Sequence, residues 1–151
     1  DLARWAGITI AEAKAGLAAA KPGLVAIDVD GNEHWMAEAI SSQVADDQPD
    51  VHLLPGFDEY LIGYKDRSAV LDAEHAPRIV PGANGVFRPM VVVAGRVVGT
   101  WTRTVKKGAV DISFDCFTRH EASHAQSMAA AKRYSDFLEL PLTPGVLQPR
   151  Q

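Results

Sequence analysis

The sequence predicts an α+β fold: helices and a β-hairpin first, then a small antiparallel sheet or partial barrel, and a long helix last. Three observations carry this expectation. Thr9 with Glu12 makes a capping-box pattern at the head of an alanine-rich run that stops at Lys21-Pro22-Gly23. Val110, Ile112, Phe114 and Cys116 recur at every second position, the period of a half-buried strand. Glu121 to Leu138 is rich in good helix formers, and Pro141 and Pro144 prevent its extension.

Taken in order, Asp1 to Trp5 is already amphipathic, so the chain is expected to open inside an element that preceding residues would complete. Gly7 supplies a turn, and a second helix runs from the Thr9 cap to about Ala20. Val25, Ile27 and Val29 then alternate with Ala26, Asp28 and Asp30. A second run, His34 to Ala37, follows the turn residues Asp30-Gly31-Asn32, which makes the pair a hairpin. Helix, turn, helix and hairpin are the latter part of a winged-helix unit, so residues 1–40 are assigned to one, with the hairpin as its wing. The wing carries Asp28, Asp30 and Glu33, and the helix before it only Lys14 and Lys21, so phosphates would be repelled. A scaffold role is expected for this unit in place of base reading.

Residues 41–50 are polar and without apolar period, the expected linker. Residues 51–140 form the expected β-barrel-like lobe with its closing helix, and 141–151 a tail. His52 to Pro55 is a short extended piece, Phe57 to Tyr64 is apolar and aromatic, and Asp72 to Val80 is a short helix closed by Pro81-Gly82. Three strands follow, Met90 to Val93, Arg96 to Val105, and the alternating run to Cys116. The closing helix should bury Ala122, Ala125, Ala129, Phe137 and Leu138.

With 47% apolar side chains the 151 residues can bury a core. No run approaches the roughly 20 apolar residues of a membrane helix, and no basic flank with an apolar run marks a signal peptide, so the expected location is cytoplasmic. The single cysteine, Cys116, reads as a small buried hydrophobe and excludes a disulfide. Formal charge is −4, but it is unevenly spread. Residues 1–59 hold 3 Lys/Arg against 11 Asp/Glu, whereas residues 60–107 hold 8 against 3. A basic block in an acidic chain suits a phosphate-facing surface, and Arg67, Arg88, Arg96, Arg103, Lys106 and Lys107 are its candidates. An ordinary solvated rim would read the same way.

The stretch from Leu53 to Arg67, Leu-Leu-Pro-Gly-Phe-Asp-Glu-Tyr-Leu-Ile-Gly-Tyr-Lys-Asp-Arg, resembles a signature of the bacterial winged-helix family that includes AlkZ and YcaQ. Asn84-Gly85-Val86-Phe87-Arg88-Pro89, the run from Val91 to Trp101, and Ala131 to Tyr134 before Phe137-Leu138 match in the same order. Leu54, Pro55, Phe57, Asp58, Tyr60, Asn84, Gly85, Arg88 and Pro89 carry the likeness most specifically. The resemblance implies tandem winged helices ahead of a β-barrel lobe, duplex DNA as partner, and, for some members, cleavage of N-glycosidic bonds in alkylated or crosslinked DNA without a cofactor. It ties that activity to a Gln-x-Gln or Gln-x-Asp motif near the N-terminal end. The only such match here is Gln48-Pro49-Asp50, in the polar linker, where it reads as accidental. The chain therefore resembles the C-terminal part of such a protein, without the segment bearing the catalytic residues.

Two other readings compete. His120-Glu121-Ala122-Ser123-His124 is a literal His-Glu-x-x-His, which on a helix would offer His120 and His124 to zinc beside the Glu121 carboxylate, a hydrolase site. Only Asp136 and Glu139 follow as third ligands, too far along the same helix, so two exposed histidines are the plainer expectation. Alternatively the lobe is a DNA-independent interaction or scaffold module. Asp58 and Glu59 could perturb one another for acid-base work, but adjacent side chains diverge, and Asp58 as a cap with Phe57 packed inside is favoured. Trp5, Trp35 and Trp101 sit in apolar patterns and are assigned to cores, not to base stacking.

Overall fold

The computed structural model describes residues 2–29, 31–41, 50–117 and 124–143, with the side chains of Ile40 and Ser41 excepted. They fall into two compact units, Asp1–Asp47 and Gln48–Gln151.

The first unit holds α1 (Leu2–Ala6), α2 (Ile10–Ala20), β1 (Leu24–Val29), β2 (Asn32–Ala37) and α3 (Glu38–Ser41). Thr9 caps α2 as expected. Its hydroxyl accepts the Glu12 amide at 3.2 Å and its own amide donates to the Glu12 carboxylate at 2.8 Å. Donation to the carboxylate from the Thr9 amide, and from the Thr9 hydroxyl at 2.7 Å, favours its ionised form and holds the Glu12 pKa below its ordinary value. A 3-10 turn over Lys21–Gly23, with Pro22 unable to donate, ends the helix and leads into β1. The strands pair antiparallel from Leu24↔Ala37 to Val29↔Asn32, and Gly31, at φ 78°, donates its amide to the Asp28 carboxylate. Trp5 departs from the core assignment, being 61% exposed. Neither α1 nor α2 buries a residue, because a two-stranded hairpin and short helices supply little second layer. Trp35 is half-buried, with the Lys21 ammonium 4.5 Å from its ring centre.

The second unit is built on one antiparallel sheet in the order β3 (Val51–Leu54), β4 (Met90–Val93), β5 (Arg96–Lys106), β6 (Ala109–Cys116). The three expected strands are present, and the extended piece at His52 joins them as a fourth, pairing with β4 from Val51↔Val93 to Leu54↔Met90. Both hairpins turn on two residues with positive φ, Ala94-Gly95 at 47° and 76° and Lys107-Gly108 at 51° and 75°, the turn whose twist matches that of the strands. Among the described residues the sheet does not close into the expected barrel. β3 and β6 are its edges, and on the outer side of β6 Val110 bridges to Leu142 in parallel.

Each face of the sheet has its own core. On one, Val51, Val91, Val93, Val98, Trp101, Val110, Ile112 and Phe114 pack against α6 (His124–Phe137). On the other, Met90, Val92 and Val97 pack against Leu61 of α4 (Glu59–Ile62), Leu71, and Ile79 of α5 (Ala76–Ile79). The expected helix over 72–80 is thus a 3-10 turn, Ala73–His75, running into the single α turn of α5. Both cores draw on β4 and β5 through the alternation of their side chains, and the β4–β5 pairing slips between Val91 and Val92, leaving Val98 opposite no partner. That bulge resets the alternation, so Val98 and Trp101 both face α6 although three residues apart.

The buried face of α6 differs from the expected one. Ala130, Ala131 and Ser135 are buried, with Tyr134 and Leu138 packed beside them, while Ala125, Ala129 and Phe137 are exposed. Small side chains at 130 and 131 let the helix backbone approach the sheet, and that contact outweighs the pull of the larger Phe137. Ala122 lies outside the described residues. Cys116 is half-buried against this core, and burial raises its thiol pKa. No described helix is long and apolar enough to cross a membrane.

Candidate nucleic-acid interface

The segment after β3 is positioned by backbone contacts. The indole of Trp101 donates to the Leu54 carbonyl at 2.8 Å, and Tyr60 donates its hydroxyl to the Gly95 carbonyl at 2.6 Å, pinning α4 to the β4–β5 turn. Burial raises the Tyr60 pKa, with Tyr64 adding to it. Asp58 caps α4 as expected, accepting the Tyr60 amide at 2.8 Å. Asp58→Ala should cost about 1 kcal/mol, measured as a lower midpoint in urea at unchanged slope. An unchanged midpoint would remove the cap from the account of this loop.

Phe57 corrects the expectation that it packs inside. It is 57% exposed, at φ 61°, with its ring 6.3 Å from that of Phe87. The reason lies one residue earlier. A Cβ on Gly56 would sit 2.7 Å from the Phe87 carbonyl oxygen, so the chain passes that point with no side chain and then swings outward. Further on, Asn84 accepts the Val86 amide at 2.9 Å, Gly85 takes φ 77°, and the Arg88 amide reaches the Ile79 carbonyl. Pro89 accepts the Trp101 amide. The signature residues thus build the entry to β4 and its contact with β5.

The six cationic candidates separate into two groups. Arg67 donates to the Leu61 carbonyl at 2.6 Å and lies over Phe87, and Arg96 donates to the Ala69 carbonyl and pairs with Asp72. Arg96 holds the loop 61–72 onto the sheet, and Arg67 closes that loop on itself and against Phe87. Arg88, Arg103, Lys106 and Lys107 form no ion pair among the described residues. Arg103 lies 5.5 Å from the centre of the Tyr134 ring, and Lys106 and Lys107 occupy the tip of the β5–β6 hairpin.

Two clefts meet at Pro89, Trp101 and Thr102. One, of 490 Å³, runs between Gly56, Arg103 and the α6 residues Tyr134 and Phe137; the other, of 310 Å³, is bordered by Arg88 and Asp115. Asp115 contributes little negative field there, because Arg78 binds both of its oxygens at 2.9 Å. Sequence reasoning missed the exposed aromatics of this region, Phe57 and Phe137, since exposure of a large apolar side chain leaves no trace in its periodicity. Trp101 is buried, as expected.

His124 is exposed at the start of α6, and His120 and Glu121 lie outside the described residues, so the His-Glu-x-x-His pattern gains no geometry. Among the described residues no three His, Cys, Asp or Glu side chains gather as a metal site.

The fold and these sites define an α+β protein with a cationic, aromatic-edged sheet. Residues 1–137 match the AlkZ-like DNA glycosylase family, and the chain belongs to it. It is 35% identical over 80 residues to the interstrand DNA cross-link repair glycosylase of Streptomyces sahachiroi, a match covering 52% of this chain and 22% of that protein. Among solved structures, the DNA glycosylase AlkZ of Streptomyces sahachiroi superposes with a TM-score of 0.69 at 21% identity, covering 96% of this chain and 40% of that one. That likeness is one of fold, and the chain spans under half the length of either relative.

Proposed function

We propose that this chain is the DNA-holding, non-catalytic C-terminal lobe of a glycosylase that removes alkylated or crosslinked bases. It grips duplex backbone through Arg88, Arg103, Lys106 and Lys107. The observation that carries the reading is that these four cations of the basic block make neither an ion pair nor a side-chain hydrogen bond among the described residues of a DNA glycosylase family member, unlike Arg67 and Arg96. A cation already engaged within the fold has less left for a phosphate, so Arg67, bonded to the Leu61 carbonyl and stacked on Phe87, and Arg96, paired with Asp72, serve as struts. Arg103, Lys106 and Lys107 lie along one strand and its turn, and at about 3.3 Å per residue they span roughly 13 Å, enough to follow several phosphates. Residues 1–40 act as a winged-helix scaffold whose acidic wing keeps away from the backbone, and 51–140 as the contact lobe, built on an open antiparallel sheet in place of the expected barrel. Excision chemistry belongs to the Gln-x-Gln-bearing segment of such a protein.

The test is anisotropy of a labelled duplex titrated with the chain over a range of salt. Binding should weaken linearly on logarithmic axes, and Lys106→Ala with Lys107→Asn should reduce that slope by about 1.8, two contacts at about 0.9 each. Asparagine tolerates the left-handed backbone at position 107. A salt-independent interaction, or none, would sink the reading.

A further inference from the structure

The 490 Å³ cleft beside α6 is a different kind of surface from the cationic hairpin. It is of a size usual for small-ligand sites, about 300–1,000 Å³. Its walls are Pro55, Pro89, Trp101, Tyr134 and Phe137, and Arg103 is its one charged lining residue. Phe137 is 79% exposed, so its ring is available to something outside the fold. Tyr134, whose ring centre is 6.4 Å from that of Phe137, meets Trp101 edge-on at 4.8 Å and carries the Arg103 guanidinium over its face. The Tyr134 hydroxyl is buried and has no hydrogen-bond partner among the described residues.

An exposed aromatic, a cation and no negative charge in one cleft fit a flat, π-faced, negatively charged ligand. Aromatic rings stack on any base, and an adjacent guanidinium takes the phosphate that accompanies it. A paired duplex cannot present the face of a base, because each face is covered by its neighbours. We propose that this cleft holds one unpaired nucleotide of DNA, its base stacked on Phe137 and its phosphate drawn to Arg103, so that the lobe prefers DNA with a locally unpaired base over intact duplex. This rests on the DNA-holding reading above and adds a second, stacking component to it.

The experiment compares two labelled DNAs, a perfect duplex and the same duplex with a three-nucleotide single-stranded gap, each titrated with the chain and with Phe137→Ala and Phe137→Trp. Phe137 lies outside both cores, so its replacement should leave the fold intact, checked by an unchanged urea midpoint. The expected result is that Phe137→Ala binds gapped DNA about tenfold more weakly while its affinity for perfect duplex is unchanged, and that Phe137→Trp restores gapped binding with quenching of its fluorescence. Equal affinity of the native chain for both DNAs, or equal effects of Phe137→Ala on both, would overturn the cleft proposal and leave the DNA-holding reading standing. Binding of neither DNA would overturn both.

Discussion

Trp101→Ala should destabilise the second unit by about 3–5 kcal/mol, the range for emptying a buried aromatic site. Trp101 is 5% exposed, stands opposite Phe114 on β6, and meets the edge of Tyr134 on α6. Its indole also supplies the bond to the Leu54 carbonyl, which ties the end of β3 to β5 across the sheet. Truncation therefore opens a cavity against α6 and removes the bond to the Leu54 carbonyl. Trp101→Phe separates the two effects. It refills much of the space but lacks that bond, and should cost about 1 kcal/mol. Urea unfolding followed by far-UV circular dichroism measures both, and a loss below about 1 kcal/mol for the alanine variant would mean that α6 closes over the vacated site.

Gly99→Ala should be nearly as damaging for the opposite reason. A Cβ at this position would lie 2.7 Å from the Asp115 carbonyl oxygen and 3.0 Å from the Cys116 Cα, both on the backbone of β6. Neither can swing aside as a side-chain tip would, since Gly99 pairs with Cys116 in the sheet. The methyl must push β5 and β6 apart next to the bulge, where Phe117 also donates its amide to the Val98 carbonyl. A cost near the top of the usual overpacking range, about 3 kcal/mol, corresponds to a fall in Tm of more than about 10 °C. A Tm within 3 °C of the native value, a margin set at about half of 1 kcal/mol, would show that the strands yield there.

The legible parts of this molecule were those decided within a few residues. Thr9 and Glu12 meet across one helical turn, Lys21-Pro22-Gly23 stops a helix whatever surrounds it, and Ala94-Gly95 and Lys107-Gly108 are short enough to force hairpins. The Asp58 cap belongs to the same class. What depends on distant partners was hidden. β3 joins the sheet through β4, nearly forty residues later in the chain. The guanidinium of Arg67 is engaged by a carbonyl and that of Arg96 by Asp72, so a cation count over residues 60–107 overstates the charge free to meet a ligand. The burial of Ala130 and Ala131 in place of Phe137 follows from how closely the helix approaches the sheet, a quantity that no residue pattern of α6 contains. The likeness to the AlkZ-like family, by contrast, was legible because its Pro-Gly-Phe-Asp and Asn-Gly-Val-Phe-Arg-Pro segments are constrained by close backbone packing.

The contact beside Val110 covers part of the open edge of the sheet. The Val110 amide donates to the Pro141 carbonyl at 2.9 Å, and its carbonyl accepts the Thr143 amide at 2.9 Å. An unpaired strand margin is a template on which another chain can crystallise its own backbone, and eight-residue β6 would be the longest one here. The stretch past α6 fills the docking positions at the start of that margin, and Pro141 itself has no amide with which to extend the ladder outward. Residues 141–143 thus occupy hydrogen-bonding groups of β6 that an incoming strand would need.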